Sequence, residues 1–226
     1  MSDSPIVVAR VTTERGELVL REIGNDFQVI SNGTFLMDTR SGRSEQLLVD
    51  AALQRHPAPR DVLIGGLGVG FSLVAAVADR RVTQVTVVEV EQALVDWHDT
   101  HLASFSGGLL HDARVVVVVA DISTHLAAHA SSYDVVCLDV DNGPDWTVTE
   151  ANGALYDDAG TRLLVGSLRP HGVLSVWSAN LSARYEQRLR THLDDLTVLT
   201  VPTDRGEPDV VYVGTRPDSR PAARHL

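Results

Sequence analysis

The stretch Asp61-Val62-Leu63-Ile64-Gly65-Gly66-Leu67-Gly68-Val69-Gly70-Phe71-Ser72-Leu73 decides the fold of this chain. Val62 to Ile64 has the composition of a short buried strand, and Phe71 to Val77 has the apolar content of a helix. Glycines between a strand and a helix let the backbone approach a ligand closely, beside the free N–H groups of the helix N-terminus. The stretch therefore predicts a strand, a ligand-binding turn and a helix, and the turn contains Gly65, Gly66, Gly68 and Gly70.

The spacing of these glycines bears on which ligand they bind. The dinucleotide fingerprint requires glycine at its first, third and sixth positions, but the sixth position is Phe71 counted from Gly66 and Leu73 counted from Gly68. This mismatch disfavours an NAD-dependent oxidoreductase, which stays open as an alternative. Glycine at alternate positions instead resembles the first motif of class I S-adenosylmethionine-dependent transferases, so we expect a nucleoside donor of the S-adenosyl type.

Two acidic residues follow later strands at the same predicted sheet edge. Glu89 ends the strand Val85 to Glu89, where its carboxylate can accept hydrogen bonds from both ribose hydroxyls of a nucleoside. Asp121 follows the strand Val115 to Ala120, where its carboxylate can accept a hydrogen bond from an adenine amino group. Acidic residues are also common helix caps, so a purely structural role for each of the two stays open.

The chain around the glycine turn predicts an α/β fold. Apolar strands alternate with helical stretches, as in a parallel sheet with helices on both faces, and the strands from Leu196 and Val210 have the pattern of an antiparallel closing pair. We therefore expect a Rossmann-like class I methyltransferase fold, with a mostly parallel sheet and an antiparallel last strand, over residues 43–216. Residues 1–42 contain four short β-prone runs that predict a β-hairpin unit, and residues 217–226 are predicted to be a disordered tail.

The composition of the chain bears on which classes of partner it can bind. The formal net charge of −11 disfavours contact with nucleic acid, which relies on cationic side chains, and suits a cationic small molecule. No apolar run approaches the roughly 20 residues that span a bilayer, and no signal peptide is recognisable, so we expect a cytoplasmic protein without membrane contact. The histidines lack metal-ligand spacing, so no metal is expected. We expect three residues to be buried in the core: Trp97, Cys137 and Trp177.

The fourth strand and the loop after it carry a more specific pattern. The chain reads Tyr133-Asp134-Val135-Val136-Cys137-Leu138-Asp139-Val140-Asp141-Asn142-Gly143-Pro144, and Leu155-Tyr156 follows. This order resembles the spermidine synthase family, in which a Tyr-Asp-Val-Ile strand leads into an Asp-x-x-Asp loop, Gly-Pro and an aromatic residue. The resemblance covers roughly Thr13 to Gly214. It implies a β-hairpin domain joined to a class I methyltransferase-like fold, an active site between them, and a homodimer.

The resemblance assigns roles to three acids and departs from the family at other positions. Glu89 matches the ribose acid, Asp121 the adenine-side acid, and Asp139 the loop acid that takes a proton from the attacking amine. The family's Tyr-His-Glu at the start of the first helix appears as Arg43-Ser44-Glu45, which retains only the glutamate.

Two further departures bear on the donor. The aspartate that contacts the donor's aminopropyl nitrogen in the family falls on Gly68, and the second acid of the loop falls on Asn142. Decarboxylated S-adenosylmethionine carries a lone ammonium that carboxylates attract, whereas intact S-adenosylmethionine also carries a carboxylate that they repel. The loss of both acids therefore ranks methyl transfer slightly ahead of aminopropyl transfer.

The acceptor is expected to be a small molecule, cationic and amine-bearing. Asp139 is the candidate general base, and Asp141 or Glu45 is a candidate to hold a cationic acceptor. Asn142, in the same loop, is a further candidate to bind the acceptor. Trp146 and Tyr156 are candidates to line the acceptor pocket, because aromatic faces attract cations, although packing is an equal alternative. Two alternatives stay open: an aminopropyltransferase that uses decarboxylated S-adenosylmethionine, and a non-catalytic regulatory protein that only binds the nucleoside.

Overall fold

Two β-sheets organise the computed structural model, which describes residues 4–147, 149–203 and 206–218. The N-terminal sheet consists of β1 (Ile6–Thr13), β2 (Gly16–Ile23), β3 (Asp26–Ser31) and β4 (Thr34–Asp38), each antiparallel to the next. Turns at Glu14-Arg15, Gly24-Asn25 and Asn32-Gly33 separate these strands, and Gly16, directly after the first turn, begins β2. The predicted β-hairpin unit is therefore present as a four-stranded meander.

The second sheet has seven strands and carries the predicted Rossmann-like topology. Its strands are β5 (Asp61–Gly65), β6 (Gln84–Glu89), β7 (Val115–Val119), β8 (Tyr133–Leu138), β9 (Leu168–Ser178), β10 (Asp194–Val201) and β11 (Asp209–Thr215). Their order across the sheet is β10-β11-β9-β8-β5-β6-β7. The strands β5 to β9 are parallel, and β11 is antiparallel to both of its neighbours. The expected α/β class, with a mostly parallel sheet and an antiparallel last strand, is confirmed.

Helices cover both faces of this sheet. They are α1 (Arg43–Arg55), α2 (Phe71–Ala78), α3 (Gln92–Trp97), α4 (Ala103–Ser106), α5 (Ile122–Ala128), α6 (Asp158–Ser167) and α7 (Ala183–His192), with 3-10 turns at Leu109–His111 and Glu150–Tyr156. The sequence after Glu89 predicts one helix from Gln92 to His101, but α3 ends at Trp97. The seven residues of α5 are too few to show a clear periodicity, so the capping alternative for Asp121 was the only signal for this helix.

Three groups of buried residues hold these layers together. One group packs α1 and α2 against one face of the large sheet, and a second packs α5, α6 and α7 against the other face. The third joins the N-terminal sheet to α3, through residues such as Leu20, Leu94 and Trp97. Cys137 is fully buried and Trp97 is nearly so, which confirms both as core residues. Trp177 packs against the first group.

The topology brings one edge of the large sheet against the N-terminal sheet. The parallel strands β5, β6, β8 and β9 all end at this edge, and the antiparallel β11 begins there, because Val210 pairs with Ser178 at the end of β9. Between the sheets, β4 ends at Asp38 and α1 begins at Arg43, so the predicted boundary at residue 42 falls in their connection. Of the tail predicted over 217–226, residues 219–226 lie outside the described residues.

Candidate active site

A cleft of about 1330 Å³ opens at this edge, between the N-terminal sheet and the large sheet. Carboxylates dominate its lining: eight acidic side chains face it against three arginines. The acids are Asp38, Glu45, Glu89, Glu91, Asp121, Asp139, Asp141 and Asp209, and the arginines are Arg15, Arg40 and Arg43. The excess of carboxylates gives the cleft a negative electrostatic potential, which its low-dielectric walls strengthen. The cleft therefore attracts cationic ligands.

The glycine turn forms one wall of the cleft. Gly66 and Gly70 have φ angles of 95° and 97°, which favour glycine, and Gly70 is the N-cap of α2. A Cβ added to Gly66 would lie 2.1 Å from the backbone oxygen of Asp139, so only glycine lets the two loops meet. Gly66, Gly68 and Gly70 line the cleft. Gly65, which is also predicted to bind the cofactor, does not line the cleft: it is the buried end of β5, and a Cβ there would meet Leu138.

Glu89 is buried at the end of β6 and is tied to the glycine turn. Its Oε2 accepts a hydrogen bond from the Leu67 N–H at 2.9 Å, and its Oε1 accepts bonds from the N–H groups of Val90 and Glu91 at 2.7 and 2.8 Å. Burial raises the pKa of Glu89, and these three hydrogen bonds oppose the rise. The carboxylate therefore both fixes the turn and lines the cleft.

Asp121 caps a helix and also lines the cleft. Its Oδ1 accepts a hydrogen bond from the Thr124 N–H at 3.0 Å and caps α5. The residue also lines the cleft beside Glu89. The capping role that the sequence left open is therefore present, and the same side chain lines the candidate site.

Asp139 lies deep in the cleft, directly after β8. Its N–H donates to the Gly65 oxygen at 2.8 Å, and its Oδ2 accepts a hydrogen bond from Ser72 Oγ at 3.0 Å. Burial is the main cause that raises the pKa of this carboxyl to about 7, and the Glu45 carboxylate is the next. A carboxyl with a pKa near neutral is suited to accept and release a proton.

Glu45, Asp139 and Asp209 form a group that we call the acidic floor. Burial raises the pKa of Glu45, Asp209 raises it further, and a hydrogen bond of 2.9 Å from the Ser44 hydroxyl opposes the rise. Burial also raises the pKa of Asp209. Among the described residues, no arginine or histidine forms a salt bridge with these three carboxylates. Partly buried carboxylates without a cation are costly, so a positive charge beside the floor would be favourable.

The loop after Asp139 brings only some of the predicted acceptor residues into the cleft. Asp141 and Asn142 line it, and Trp146 lies at the rim, 56% exposed. The Asp141 carboxylate is already occupied, because it accepts hydrogen bonds from the Thr149 N–H and from Asn152 Nδ2. Its main role is therefore to hold the loop.

Tyr156, the other aromatic candidate for the acceptor pocket, does not line the cleft. Its side chain is 2% exposed, its hydroxyl donates to the Val140 oxygen, and its ring stands edge-on to Tyr185 at 5.5 Å between ring centres. Trp177 was predicted to be a core residue only. Its side chain packs against the core and also lines the cleft.

Sequence reasoning missed Asp38, Ser72 and Asp209. Ser72 stands in the quoted glycine stretch, so its position after the turn was a usable signal. Asp38 and Asp209 stand at the end of β4 and the start of β11, and no local pattern connects either to the glycine turn.

None of the described helices is long and apolar enough to cross a membrane. In the part of the chain that the structure describes, no three or more His, Cys, Asp or Glu side chains group as metal ligands.

Comparison with known sequences identifies relatives of this chain. A model of the spermine/spermidine synthase domain matches residues 43–195. The polyamine aminopropyltransferase 2 of Pseudomonas aeruginosa is 35% identical over 141 residues, which are 61% of this chain and 38% of that protein. The polyamine aminopropyltransferase of Aeropyrum pernix is 29% identical over 152 residues, 64% of this chain and 47% of the relative. The chain thus matches less than half the length of these curated relatives.

Solved structures share the fold. A spermidine synthase in complex with the transition state analogue AdoDATO superposes with a TM-score of 0.81 at 17% identity, over 92% of this chain and 73% of that chain. A spermidine synthase from Thermotoga maritima gives a TM-score of 0.77 at 16% identity, over 92% and 72% of the two chains. At these identities the likeness concerns the fold alone.

The comparisons correct the ranking of the two transfers. The relatives are aminopropyltransferases, so they support the alternative that the sequence placed second and give no support to methyl transfer. The ranking of methyl transfer first took only two positions of the cleft into account, Gly68 and Asn142. Asp209 adds a carboxylate from a distant part of the chain, and Asp38 adds another that forms a salt bridge with Arg40, so acids still outnumber arginines in the cleft. The domain match covers more than half of the chain and includes α1, the glycine turn and the Asp139 loop; the chain belongs to the spermine/spermidine synthase family.

Proposed function

We propose that this chain transfers an aminopropyl group from decarboxylated S-adenosylmethionine to a primary amine. The observation that carries the proposal is the acidic floor, where Glu45, Asp139 and Asp209 have raised pKa values and no salt-bridge partner among the described residues. Family membership supports the class of reaction. The floor supports an acceptor that arrives as an ammonium ion.

The glycine turn, Glu89 and Asp121 fit the nucleoside end of the donor. Gly66 and Gly70 give a ligand close access to the backbone at the start of α2. A carboxylate offers about four lone-pair sites, and three of those on Glu89 are used by backbone N–H groups. The remaining site is on Oε2, so Glu89 is able to hold one ribose hydroxyl, whereas the sequence argument expected two.

Asp139 is the proposed general base. The acceptor loses a proton to the Asp139 carboxylate, and its nitrogen then forms a bond to the aminopropyl carbon beside the sulfonium. The bond between that carbon and sulfur breaks, its electron pair stays on sulfur, and methylthioadenosine leaves. The Ser72 hydroxyl holds the carboxylate in place by donating to Oδ2, so the free oxygen is Oδ1.

The test is direct turnover with the purified chain. Decarboxylated S-adenosylmethionine and 1,4-diaminobutane are supplied, and methylthioadenosine and the aminopropylated amine are measured by mass spectrometry; equal amounts of both products are expected. Intact S-adenosylmethionine is supplied in a parallel reaction. Methylated amine from the intact donor, with no product from the decarboxylated one, would overturn the proposal. Binding of methylthioadenosine without turnover of either donor would favour a non-catalytic regulatory protein instead.

A further inference from the structure

His98 contacts the glycine turn but does not line the cleft. It is the C-cap of α3, and its side chain is 2% exposed. The ring Nε2 lies 3.0 Å from the Gly68 oxygen. A carbonyl oxygen can only accept a hydrogen bond, so Nε2 carries the proton and donates it to Gly68. Burial lowers the pKa of His98, against the effect of this hydrogen bond, so the ring is neutral at pH 7.

The hydrogen bond from His98 fixes the peptide that joins Gly68 to Val69. Gly68 has a φ angle of 54° and no side chain, so steric contacts alone hold this peptide weakly. The peptide is trans, so its C=O and its N–H point in opposite directions. Because the carbonyl is directed at the buried His98, the Val69 N–H is directed away from His98.

The Val69 N–H is a hydrogen-bond donor without a partner among the described residues. Val69 is 3% exposed, and its side chain packs into the third core group with Leu20 and Trp97, which holds the residue in place. Gly68 and Val69 both line the cleft. More than about 90% of buried backbone N–H groups are paired, so an unpaired one at the wall of a cleft indicates a donor for a ligand.

We infer that His98 is a positioning residue for the nucleoside donor. By holding the Gly68 carbonyl, it keeps the Val69 N–H turned to the cleft, where this N–H donates a hydrogen bond to a ribose oxygen or an adenine nitrogen. His98 itself does not touch the ligand. Without its hydrogen bond the peptide is free to rotate, and part of the binding free energy is used to order it. The inference rests on the proposed function only in placing a nucleoside in this cleft.

Calorimetry of methylthioadenosine binding tests this role. His98→Ala removes the donor to Gly68 and should weaken binding about 5-fold or more. His98→Gln keeps an N–H that can reach the same carbonyl, so its affinity should stay within about 2-fold of wild type. His98→Phe keeps a ring and removes the donor, so it should lose affinity as His98→Ala does and gives the same test if the smaller side chain fails to fold.

Ser106→Ala is the matched control. Ser106 and His98 lie beside the same glycine, because a Cβ added to Gly70 would lie 3.1 Å from Ser106 Cβ and 3.2 Å from His98 Cε1. The Ser106 hydroxyl is buried and has no hydrogen-bond partner in the described part of the chain. Its removal should therefore leave the affinity for methylthioadenosine within about 2-fold of wild type.

Hydrogen exchange of the Val69 N–H, followed by NMR, reports on the peptide itself. Methylthioadenosine should slow this exchange about 10-fold or more in wild type and in His98→Gln, and less than about 2-fold in His98→Ala. An affinity that does not respond to the loss of the His98 donor, or that His98→Gln fails to restore, would refute the positioning role even if aminopropyl transfer is established. Absence of transfer to any amine, with methylthioadenosine binding that still depends on His98, would refute the proposed function alone.

Discussion

Replacing Asp139 by asparagine should make the protein more stable and less active. The pKa of this carboxyl rises from 3.8 to about 7, mainly through burial and then through the Glu45 carboxylate. Because the folded chain holds the ionised form less well than the unfolded chain does, ionisation of Asp139 destabilises the fold. The stability that the protonated form provides is fully present below pH 3.8 and is lost as the pH rises through about 7.

The size of the effect follows from these two pKa values. Their difference corresponds to about 4 kcal/mol, at about 1.4 kcal/mol per pKa unit. The Asp139 side chain is partly open to the cleft, where water screens its charge, so we expect about 2 kcal/mol at alkaline pH. A change of 1 kcal/mol shifts the Tm of a chain of this size by about 2–4 °C, so Asp139→Asn should raise the Tm by about 4–8 °C. The asparagine oxygen can still accept the hydrogen bond from Ser72.

Thermal unfolding followed by circular dichroism at about pH 8 and about pH 4 checks this prediction. The gain in Tm should appear at the higher pH and vanish at the lower one, and turnover should fall about 100-fold or more. Asp112→Asn is a control of opposite sign, since the Arg114 guanidinium lowers the pKa of Asp112 to about 2 and its loss should lower the Tm. An unchanged or lower Tm for Asp139→Asn at about pH 8, or an equal gain at both pH values, would refute the burial argument.

Three further substitutions test the donor end, the glycine turn and the core. Glu89→Ala should weaken methylthioadenosine binding about 10-fold or more by calorimetry, because hydrogen bonds to charged groups contribute roughly 1.5–3 kcal/mol; unchanged affinity would contradict the ribose assignment. Gly66→Ala should lower the free energy of unfolding, measured in urea, by more than about 2 kcal/mol, since its Cβ would lie 2.1 Å from the Asp139 oxygen. Gly166→Ala in α6 is the control: its Cβ meets nothing within 4 Å, so the free energy of unfolding should rise by up to about 1 kcal/mol. An equal loss in both variants would argue against the close approach. Tyr156→Phe loses the hydrogen bond to the Val140 oxygen and should cost about 1 kcal/mol of stability with the acceptor KM unchanged; a raised KM would return Tyr156 to the acceptor pocket.

The sequence predicted the elements whose signals are local. The strand, turn and helix around Gly66, the four N-terminal strands and the alternation of strands with helices along the chain all follow from periodicity and turn residues within about ten positions. Parallel strands place their ends at one edge, so Glu89, Asp121 and Asp139 could be assigned to the same cleft before any coordinates. The sequence pattern does not distinguish a pocket residue from a core residue. Tyr156 follows the loop as in the family, but its side chain lies in the core.

By itself, the sequence determined the α/β class, the glycine turn and the acids at the ends of the parallel strands, because each depends on neighbours along the chain. Only the tertiary structure decided the charge of the acceptor end. Asp38 ends a strand of the N-terminal sheet, and Asp209 begins the antiparallel β11, so both reach the cleft through packing between distant segments. The raised pKa values of Glu45 and Asp139 depend on burial and on Asp209, and neither cause can be read from residue type or spacing.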